Sequence, residues 1–426
     1  MRALRSYVRT VWRHLPVQIR RSAVHGAIGL LQPKISAVSR DVVTDPRVPR
    51  IVVGVLSSAT GLGQSARLTA TALRSQGYSV LGIDLSDFFY EPGGVVDHGL
   101  PNGRGHRGAG HAIVVVNGPL MPYALTLLGH RFLERKWITA YWAWELACLP
   151  SNWLRGFTCL HEVAAPSRFV GEAVEAAGTA RRVIVAPYPV ACDPPAPSSF
   201  ARGASRPEGP FTVITVANLD SSFARKNPLA LIKAYRLAFG GDRDCRLRMR
   251  LTGCQPEHRA AIMAAIGSSD TMEVEWRSGS RAELYRWWGT PDVYAALHRS
   301  EGFGLPIAEA MLAGYPVVAT GWSGNMEFMS EETAFPVGYR LMPIDDPEAK
   351  YSGSGASWAE PDIEHAAALL QRLRRDRDLV RTIGLRARAA MSGELSAGTF
   401  VRRLVGEGAG TRAAPAFGVG ASPSRR

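Results

Sequence analysis

The chain has 426 residues, of which 46% are hydrophobic and 20% charged, with 43 glycines and 28 prolines. This composition is globular and excludes a low-complexity or wholly disordered chain, and the length suits two domains that each have their own core. The five cysteines are scattered without any C-x-x-C pair, which excludes a zinc ribbon, argues against a disulfide scaffold and suits a reducing cytosol.

The net charge of +13 lies mainly at the two ends of the chain. Residues 1–40 carry a charge of +8 and residues 401–426 carry +4, which leaves +1 for the 360 residues between them. A protein that binds nucleic acid needs a basic groove within its fold, and a balanced body does not supply one. We therefore expect no nucleic-acid partner.

Residues 1–48 form a basic leader with an amphipathic pattern near its start. Over residues 2–15 the apolar side chains fall on one helical face beside four arginines, until Pro16 interrupts the pattern. Two interpretations stay open: residues 1–22 lie on an anionic membrane surface, or the leader is frayed or packed on the body. We expect neither a membrane span nor a secretory signal, and therefore predict a cytoplasmic protein. If residues 1–22 bind the membrane, we expect the protein to be peripheral on its inner face.

Residues 49–192 are predicted to form a first α/β domain. The apolar run 51–56 is typical of a strand buried on both sides, and a glycine-containing turn at 60–63 leads into a helix at 65–75 and a strand at 78–83. Strands that alternate with helices predict a doubly wound parallel sheet. Four more strands are expected, at 112–117, 137–141, 162–164 and 182–186.

A Pro, Ser and Gly cluster at 193–210 is the predicted linker to a second α/β domain at 211–392. The two domains are expected to face each other across a cleft, with ligands bound outside the carboxyl ends of the strands. A long helix at 362–392 is predicted to end the second domain, and the last part of the tail 393–426 is predicted to be disordered. The other expected elements are strands at 211–217, 246–252, 272–276, 293–297 and 316–320, and helices at 228–238, 257–266, 281–287 and 306–312.

The sharpest motif is the segment 297–311, a strand end followed by a Gly-x-Gly turn and a helix. Gly302 and Gly304 allow the backbone to come close to a ligand, and Pro306 fits the first turn of a helix. The N–H groups at a helix start are unpaired and carry partial positive charge. The segment therefore predicts an anion site.

Two glutamates flank this predicted anion site. Glu301 lies just before the turn, and Glu309 lies about one turn into the helix. Carboxylates are poor ligands for phosphate but good ligands for hydroxyl groups. We therefore predict that Glu301 holds a sugar and Glu309 a ribose; the alternative is an ordinary turn with Glu309 exposed to solvent.

A cationic pair, Arg225 and Lys226, lies between the first strand of the second domain and the following helix. Arginine supplies planar two-point donors and lysine a point charge, so the pair can balance a diphosphate leaving group. A solvated pair is the alternative.

Two segments of the first domain are candidates for the other side of the cleft. Gly61 and Gly63 lack the third glycine of a dinucleotide fingerprint, so we interpret them as a loop that closes on a ligand, or as a plain turn. Trp144 and Glu145 follow a strand and can hold a sugar through a ring face and a carboxylate, or can belong to the core.

We interpret the Asp-Arg-Asp sequence at 242–244 as a solvated loop. Because the histidines lack metal-ligand spacing, no metal is expected.

The segment HRSEGFGLPIAEAMLAGYPVVAT, followed by Ser323-Gly324-Asn325, resembles the donor-site signature of GT-B retaining glycosyltransferases of family 4, with its two glutamates separated by seven residues. DSSFARKNPLALIKAY and YWAWELACLPSNW are similar to segments of the same group, which includes members that build bacterial cell-surface polysaccharides. The resemblance covers roughly residues 50–390 and implies the GT-B fold, two Rossmann-like domains that face a cleft.

The resemblance also implies roles for individual residues. The N–H groups around Phe303, Gly304 and Leu305 would hold the diphosphate, and Asn325 would belong to the substrate site. Two positions depart from the pattern. Asn218-Leu219-Asp220 stands where many relatives have an arginine, and Trp144-Glu145 stands where many have a histidine.

The predicted activity is transfer of a sugar from GDP-mannose or a UDP-sugar to a saccharide or lipid-linked hydroxyl, with retained anomeric configuration and no cofactor. The alternatives are a GT-B-type nucleotide-sugar epimerase and a non-catalytic membrane adaptor that binds sugar nucleotides. A sugar phosphorylase would need a pyridoxal lysine in a context that the sequence does not offer, and an NAD-dependent oxidoreductase would need the complete glycine fingerprint.

Overall fold

The computed structural model describes residues 35–89, 96–192, 209–253, 255–351 and 355–406. The predicted leader helix, nearly all of the predicted linker and the end of the tail lie outside these residues. Among the described residues, no helix combines the length and the apolar character that crossing a bilayer requires.

The first domain is built on a six-stranded sheet in the order β2-β1-β3-β4-β5-β6, in which every neighbouring pair is parallel. Helices cover both faces, so β1 and β3 are buried along their whole length, which explains their continuous apolar runs. The strands are β1 (Arg50–Gly54), β2 (Val80–Asp84), β3 (Gly110–Val115), β4 (Lys136–Tyr141), β5 (Glu162–Ala165) and β6 (Arg182–Val185).

Helix α2 follows β1, but it begins at Gly61, so the predicted closing loop at Gly61 and Gly63 is wrong and both glycines belong to the first turn of the helix. Thr60 caps this turn by accepting from the Gly63 N–H, and an early cap of this kind explains the earlier start. Short 3-10 turns lie at Gly118–Leu120, Ser151–Cys159 and Val190–Cys192. The helices of this domain are α1 (Asp41–Thr44), α2 (Gly61–Ser75), α3 (Ser86–Phe89), α4 (Met121–Leu128), α5 (His130–Leu133) and α6 (Arg168–Ala176).

The second domain repeats the architecture with a parallel sheet in the order β12-β11-β10-β7-β8-β9. The two sheets confirm the predicted pair of Rossmann-like domains. The strands are β7 (Phe211–Asn218), β8 (Cys245–Thr252), β9 (Met272–Trp276), β10 (Val293–Ala296), β11 (Val317–Thr320) and β12 (Phe335–Val337). The helices between them are α7 (Phe223–Lys226), α8 (Pro228–Phe239), α9 (Pro256–Ile266), α10 (Arg281–Trp288) and α11 (Leu305–Leu312).

An antiparallel hairpin that the sequence analysis did not predict follows β12. It consists of β13 (Tyr339–Pro343) and β14 (Ser357–Pro361). The Ala359 N–H donates to the Arg299 carbonyl at 2.9 Å, which joins the hairpin to the loop after β10.

The predicted single helix over 362–392 is wrong in one respect, because the chain breaks at Asp376. This residue has an extended backbone, and its carboxylate accepts from the Leu379 N–H at 2.8 Å. An aspartate that caps the next helix competes with helix continuation, which explains the break. The pieces are α12 (Ile363–Arg375) and α13 (Arg377–Glu394), and the start of the predicted tail is a further helix, α14 (Ala397–Val405), packed on α2 and β6 of the first domain.

Candidate active site

The loop after β10 places the candidate site at the carboxyl edge of the second sheet. Gly304 precedes α11 in the left-handed region with φ +91°, which a glycine adopts without strain, and Pro306 occupies the first helical turn. Neither the Gly304 nor the Leu305 N–H has a hydrogen-bond partner within the described residues. The helix start therefore offers two backbone donors, as predicted.

A buried cluster of opposite charges lies directly before this helix start. The Glu301 carboxylate contacts the Lys226 ammonium through Oε1, and Oε2 lies 3.2 Å from Nη1 of Arg225. Arg225 is 1% exposed and also donates to the Ser300 carbonyl at 2.8 Å. The structure thus brings together the three residues that were predicted to carry the chemistry.

The cluster fixes the charge state of Glu301. Burial opposes ionisation, but the nearby Lys226 and Arg225 outweigh it and lower the pKa of Glu301 to about 2. Burial also lowers the pKa of Lys226, against the attraction of Glu301. At neutral pH Glu301 is therefore a carboxylate that faces two cations.

The low pKa of Glu301 predicts that stability depends on pH. An unfolded glutamate titrates near pH 4.3, so the contribution of Glu301 is present above that pH and is lost as pH falls towards 2. The urea midpoint of the wild type should fall more steeply between about pH 5 and 3 than that of Glu301→Gln, because the variant has no ionisable group at position 301. If the urea midpoints of the two proteins fell in parallel with pH, the ion pair of Glu301 with its two cations would be contradicted.

The first domain reaches this cluster through Glu145. Its Oε1 lies 3.8 Å from Nη2 of Arg225, and its backbone carbonyl accepts from the Ser300 hydroxyl. Two carboxylates, Glu145 and Glu301, therefore face two cations, and the formal charges cancel. Trp144 is largely buried: its Nε1 donates to the Cys148 carbonyl at 2.8 Å and its ring packs on Trp153 and Tyr351.

Position 302 requires a glycine because of the packing around it, which is a different reason from the predicted contact with a ligand. A Cβ on Gly302 would lie 2.7 Å from the Trp144 carbonyl oxygen, and one on Gly324 would lie 2.1 Å from the Gly302 oxygen. The Gly302 carbonyl also accepts from the Ser167 hydroxyl at 2.7 Å. The backbone at Gly302 is therefore held between the two domains.

Phe303 and Asn325 do not present their side chains to a ligand. The Phe303 ring packs against Tyr188 and Phe328 in an aromatic group between the domains. Asn325 is completely buried, and its amide donates to the Thr320 carbonyl and accepts from His298. The Asn325 side chain is thus engaged within the protein, and the place of Asn325 in the substrate site stays a prediction.

Glu309 lies in α11, away from the Glu301 cluster, and is almost completely buried. Its Oε1 lies 2.6 Å from Nη1 of Arg281, the first residue of α10. This salt bridge holds the Glu309 carboxylate in one orientation beside the loop that leads into α10.

Gly61 and Gly63 lie in the first turn of α2, at the carboxyl edge of the first sheet. A Cβ on Gly63 would lie 2.3 Å from the Ser58 oxygen, whereas Gly61 borders open space. The glycine at 63 therefore serves the local turn, while Gly61 leaves the end of α2 accessible.

Sequence reasoning missed several residues that build the site. Tyr351 lies on the polar segment between β13 and β14, where no pattern marks it, and its ring centroid is 5.9 Å from the Arg225 guanidinium. Ser323 accepts from the Glu301 N–H at 2.8 Å, and only its place in the signature pointed to it. No group of three or more His, Cys, Asp or Glu side chains suited to a metal occurs in the part of the chain that the structure describes.

Comparison with known proteins yields a family match and several shared folds. Residues 210–352 match the model of Glycosyl transferases group 1. HepE from Anabaena, in complex with UDP and glucose, has 15% identity and a TM-score of 0.58, and the match covers 84% of this chain and 98% of HepE. A glycosyltransferase from Rickettsia africae has 14% identity and a TM-score of 0.58, and the match covers 83% of this chain and 96% of that one. Sucrose-phosphate synthase from Thermosynechococcus elongatus has 16% identity and a TM-score of 0.57, and the match covers 83% of this chain and 96% of that one.

The chain is shorter than some structures that it resembles. It spans about 55% of the pneumococcal O-GlcNAc transferase GtfA and 54% of TarM. No curated protein matches it in sequence. The family match identifies residues 210–352 as a glycosyltransferase group 1 domain, and the structural similarity shows that the chain has the GT-B fold.

Proposed function

We propose that the chain transfers a sugar from a nucleoside diphosphate sugar to a hydroxyl of a saccharide or lipid-linked acceptor, with retained anomeric configuration, in the assembly of a cell-surface polysaccharide. The observation that carries this proposal is the buried Arg225–Glu301–Lys226 cluster, which directly precedes the start of α11. The donor is GDP-mannose or a UDP-sugar. HepE, which has the same fold, is in complex with UDP and glucose.

In this proposal the leaving diphosphate is stabilised by fixed positive charge. The free N–H groups of Gly304 and Leu305 bind its oxygens, and Arg225 and Lys226 balance the charge that develops as the bond to the sugar breaks. These groups lie in a buried site, where electrostatic interactions are stronger than in water. The proposed reaction therefore needs no metal, because the protein supplies the cations.

Glu301 is proposed to contact the transferred sugar and Glu309 the ribose hydroxyls. The Arg281 salt bridge supports the second role, because it holds the Glu309 carboxylate in one orientation at the start of α10.

In this proposal the donor enters when the two domains separate, because contacts between them close the site beside Arg225. Three contacts join the domains at this point: Glu145 to Arg225, Ser300 to the Glu145 carbonyl, and Ser167 to the Gly302 carbonyl. Opening lets the diphosphate take the place of Glu145 at Arg225, and closure then excludes water.

The test combines binding with product analysis. UDP-glucose, UDP-N-acetylglucosamine and GDP-mannose are compared by thermal stability, where a donor at 100 times its Kd should stabilise the fold by about 2.7 kcal/mol. The stabilising donor is then incubated with saccharide and polyprenyl-phosphate-sugar acceptors, and NMR of the product should show the donor's anomeric configuration. Conversion of donor without any acceptor would instead identify an epimerase, and binding without turnover an adaptor.

We also propose that the basic leader attaches the protein to an anionic membrane surface. The support is the charge of +8 over residues 1–40 together with the helical spacing of the apolar residues in the sequence 2–15. Deletion of residues 1–22 should move the protein from the membrane pellet to the supernatant, and wild-type protein should bind vesicles with phosphatidylglycerol but not phosphatidylcholine vesicles. A truncated protein that still pellets with membranes would contradict this.

A further inference from the structure

The loop between β13 and β14 packs against α7, the short helix that carries the two cations of the site. At the start of this helix the Glu348 carboxylate accepts from the Phe223 N–H at 2.8 Å. Just before the helix the Lys350 ammonium donates to the Asp220 carbonyl. The loop and α7 are therefore held together at two points.

The same loop presents a buried aromatic side chain, Tyr351. The Asp346 carboxylate orders the loop up to this residue, because it accepts from the N–H groups of Lys350 at 2.8 Å and Tyr351 at 3.0 Å. Tyr351 is 6% exposed, although the residues before it in the loop are exposed or half-exposed. A buried tyrosine in an otherwise polar loop needs an explanation in what it contacts.

Tyr351 contacts both domains. Its ring packs on Trp144 of the first domain, with the ring centroids 5.6 Å apart. In the second domain the Arg225 guanidinium lies 5.9 Å from the ring centroid and donates to the Tyr351 hydroxyl. Burial and the nearby Glu145 carboxylate raise the pKa of Tyr351, so its hydroxyl is protonated at neutral pH.

The contact with Arg225 persists when the proposed mechanism changes the surroundings of the guanidinium. Opening of the domains takes the Glu145 carboxylate away, whereas Tyr351 stays because it belongs to the same domain as Arg225. A charged group that stabilises a transition state has to keep its orientation, since a displacement of 1 Å costs on the order of 100-fold in rate. When the domains close again, Trp144 returns to the Tyr351 ring.

We propose that Tyr351 is a positioning residue for sugar transfer, which holds the Arg225 guanidinium towards the leaving diphosphate when Trp144 closes on its ring. This inference rests on the proposed function, because Arg225 has to act on the diphosphate. Tyr351 itself does not touch the donor in this assignment, and its effect passes through Arg225.

Two variants of Tyr351 separate its hydroxyl from its ring. Tyr351→Phe retains the ring and removes only the oxygen to which Arg225 donates. Tyr351→Leu also removes the ring on which Trp144 packs. If Tyr351 served packing alone, Tyr351→Phe would restore both the stability and the activity that Tyr351→Leu loses. In the proposed role it restores the urea midpoint but not kcat.

Tyr315→Phe is the matched control. Tyr315 is a buried tyrosine of the second domain, 3% exposed, whose hydroxyl donates to the Gly289 carbonyl at 2.9 Å. This variant and Tyr351→Phe each lose one buried hydrogen bond and no ring, so their urea midpoints should fall by similar amounts.

The first readout is kcat per folded molecule at saturating donor and acceptor, together with the KM of the acceptor. Tyr351→Phe should lower kcat about 5- to 20-fold and leave the KM of the acceptor within about 2-fold of wild type. Tyr315→Phe should leave both constants within about 2-fold. Equal kcat values for these two variants would overturn the assignment.

The second readout shows whether the effect passes through Arg225. Arg225→Lys keeps the positive charge but loses the planar guanidinium that Tyr351 contacts. In this background Tyr351→Phe should change kcat by less than about 2-fold, because the group that it positions is gone, whereas independent residues would give effects that multiply. Multiplied effects would therefore contradict the proposed link, and an Arg225→Lys chain that does not fold leaves the comparison with Tyr315→Phe as the decisive test.

Failure of this inference is distinguishable from failure of the proposed function. A wild-type protein that transfers sugar, with Tyr351→Phe as active as wild type, would contradict the role of Tyr351 alone. A wild-type protein that neither binds nor transfers from any nucleotide sugar would contradict the proposed function itself.

Discussion

Lys226→Met is expected to lower the rate of sugar transfer by about 10²- to 10³-fold, because it removes a cation that stabilises charge on the leaving diphosphate. Lys226 contacts Glu301 in a largely buried cluster, where the two side chains are 17% and 13% exposed, so water replaces the lost charge only in part. Glu301 keeps Arg225 as a partner at 3.2 Å, so the variant should remain folded. The measurement is kcat at saturating donor and acceptor, with the circular dichroism spectrum as the check on folding.

Lys233→Met is the matched control for this variant. Lys233 is an exposed lysine in α8, outside the cavity beside Glu301, and its replacement removes the same charge from the same domain. Its kcat should stay within about 2-fold of wild type, since surface charges contribute little. A Lys226→Met enzyme with a rate near that of Lys233→Met would show that Lys226 has no part in transfer.

The parts of the site that the sequence could predict are those that local rules determine. Gly304 and Pro306 define a helix start with free N–H groups, and Glu301 follows the strand end, so their positions depend on a few neighbouring residues. Arg225 and Lys226 could be placed near them because loops after parallel strands meet at one edge of a sheet.

Other features depend on contacts between distant parts of the chain, which no local pattern records. The Gly-x-Gly motif suggested a ligand at Gly302, but this glycine is needed because Trp144, more than 150 residues earlier, packs on its backbone. The hairpin of β13 and β14 lacked a signal because β13 is mostly exposed and its residues do not alternate in polarity. The break at Asp376 was missed because the apolar periodicity on either side continues in phase.

The pairing of Glu309 with Arg281 shows how the structure refines a correct residue choice. The sequence placed Glu309 about one turn into a helix, but the arginine that orients it comes from the start of α10, where Ser280 and Glu283 form a capping box. The cap fixes the position of Arg281, and Arg281 fixes that of Glu309.

Gly324→Ala is expected to reduce stability and transfer together, and it has the largest steric effect predicted at the site. The added Cβ would lie 2.1 Å from the Gly302 oxygen and 2.7 Å from the Phe303 nitrogen, both backbone atoms that cannot move aside as a side chain can. Overpacking of this kind costs about 3 kcal/mol. Because Gly302 follows Glu301 directly, relief of the clash should also displace the Glu301 carboxylate from its two cations.

Gly384→Ala separates the two effects, because it introduces a clash of the same size elsewhere in the second domain. Its Cβ would lie 2.1 Å from the Gly314 oxygen, in the contact between α13 and the end of α11. Urea unfolding should show a loss of about 3 kcal/mol for both variants. Per folded molecule, however, kcat should fall at least about 10-fold for Gly324→Ala only, because a displacement of about 1 Å in a catalytic group is costly. Equal kcat values for the two variants would mean that the backbone at Gly302 does not position Glu301.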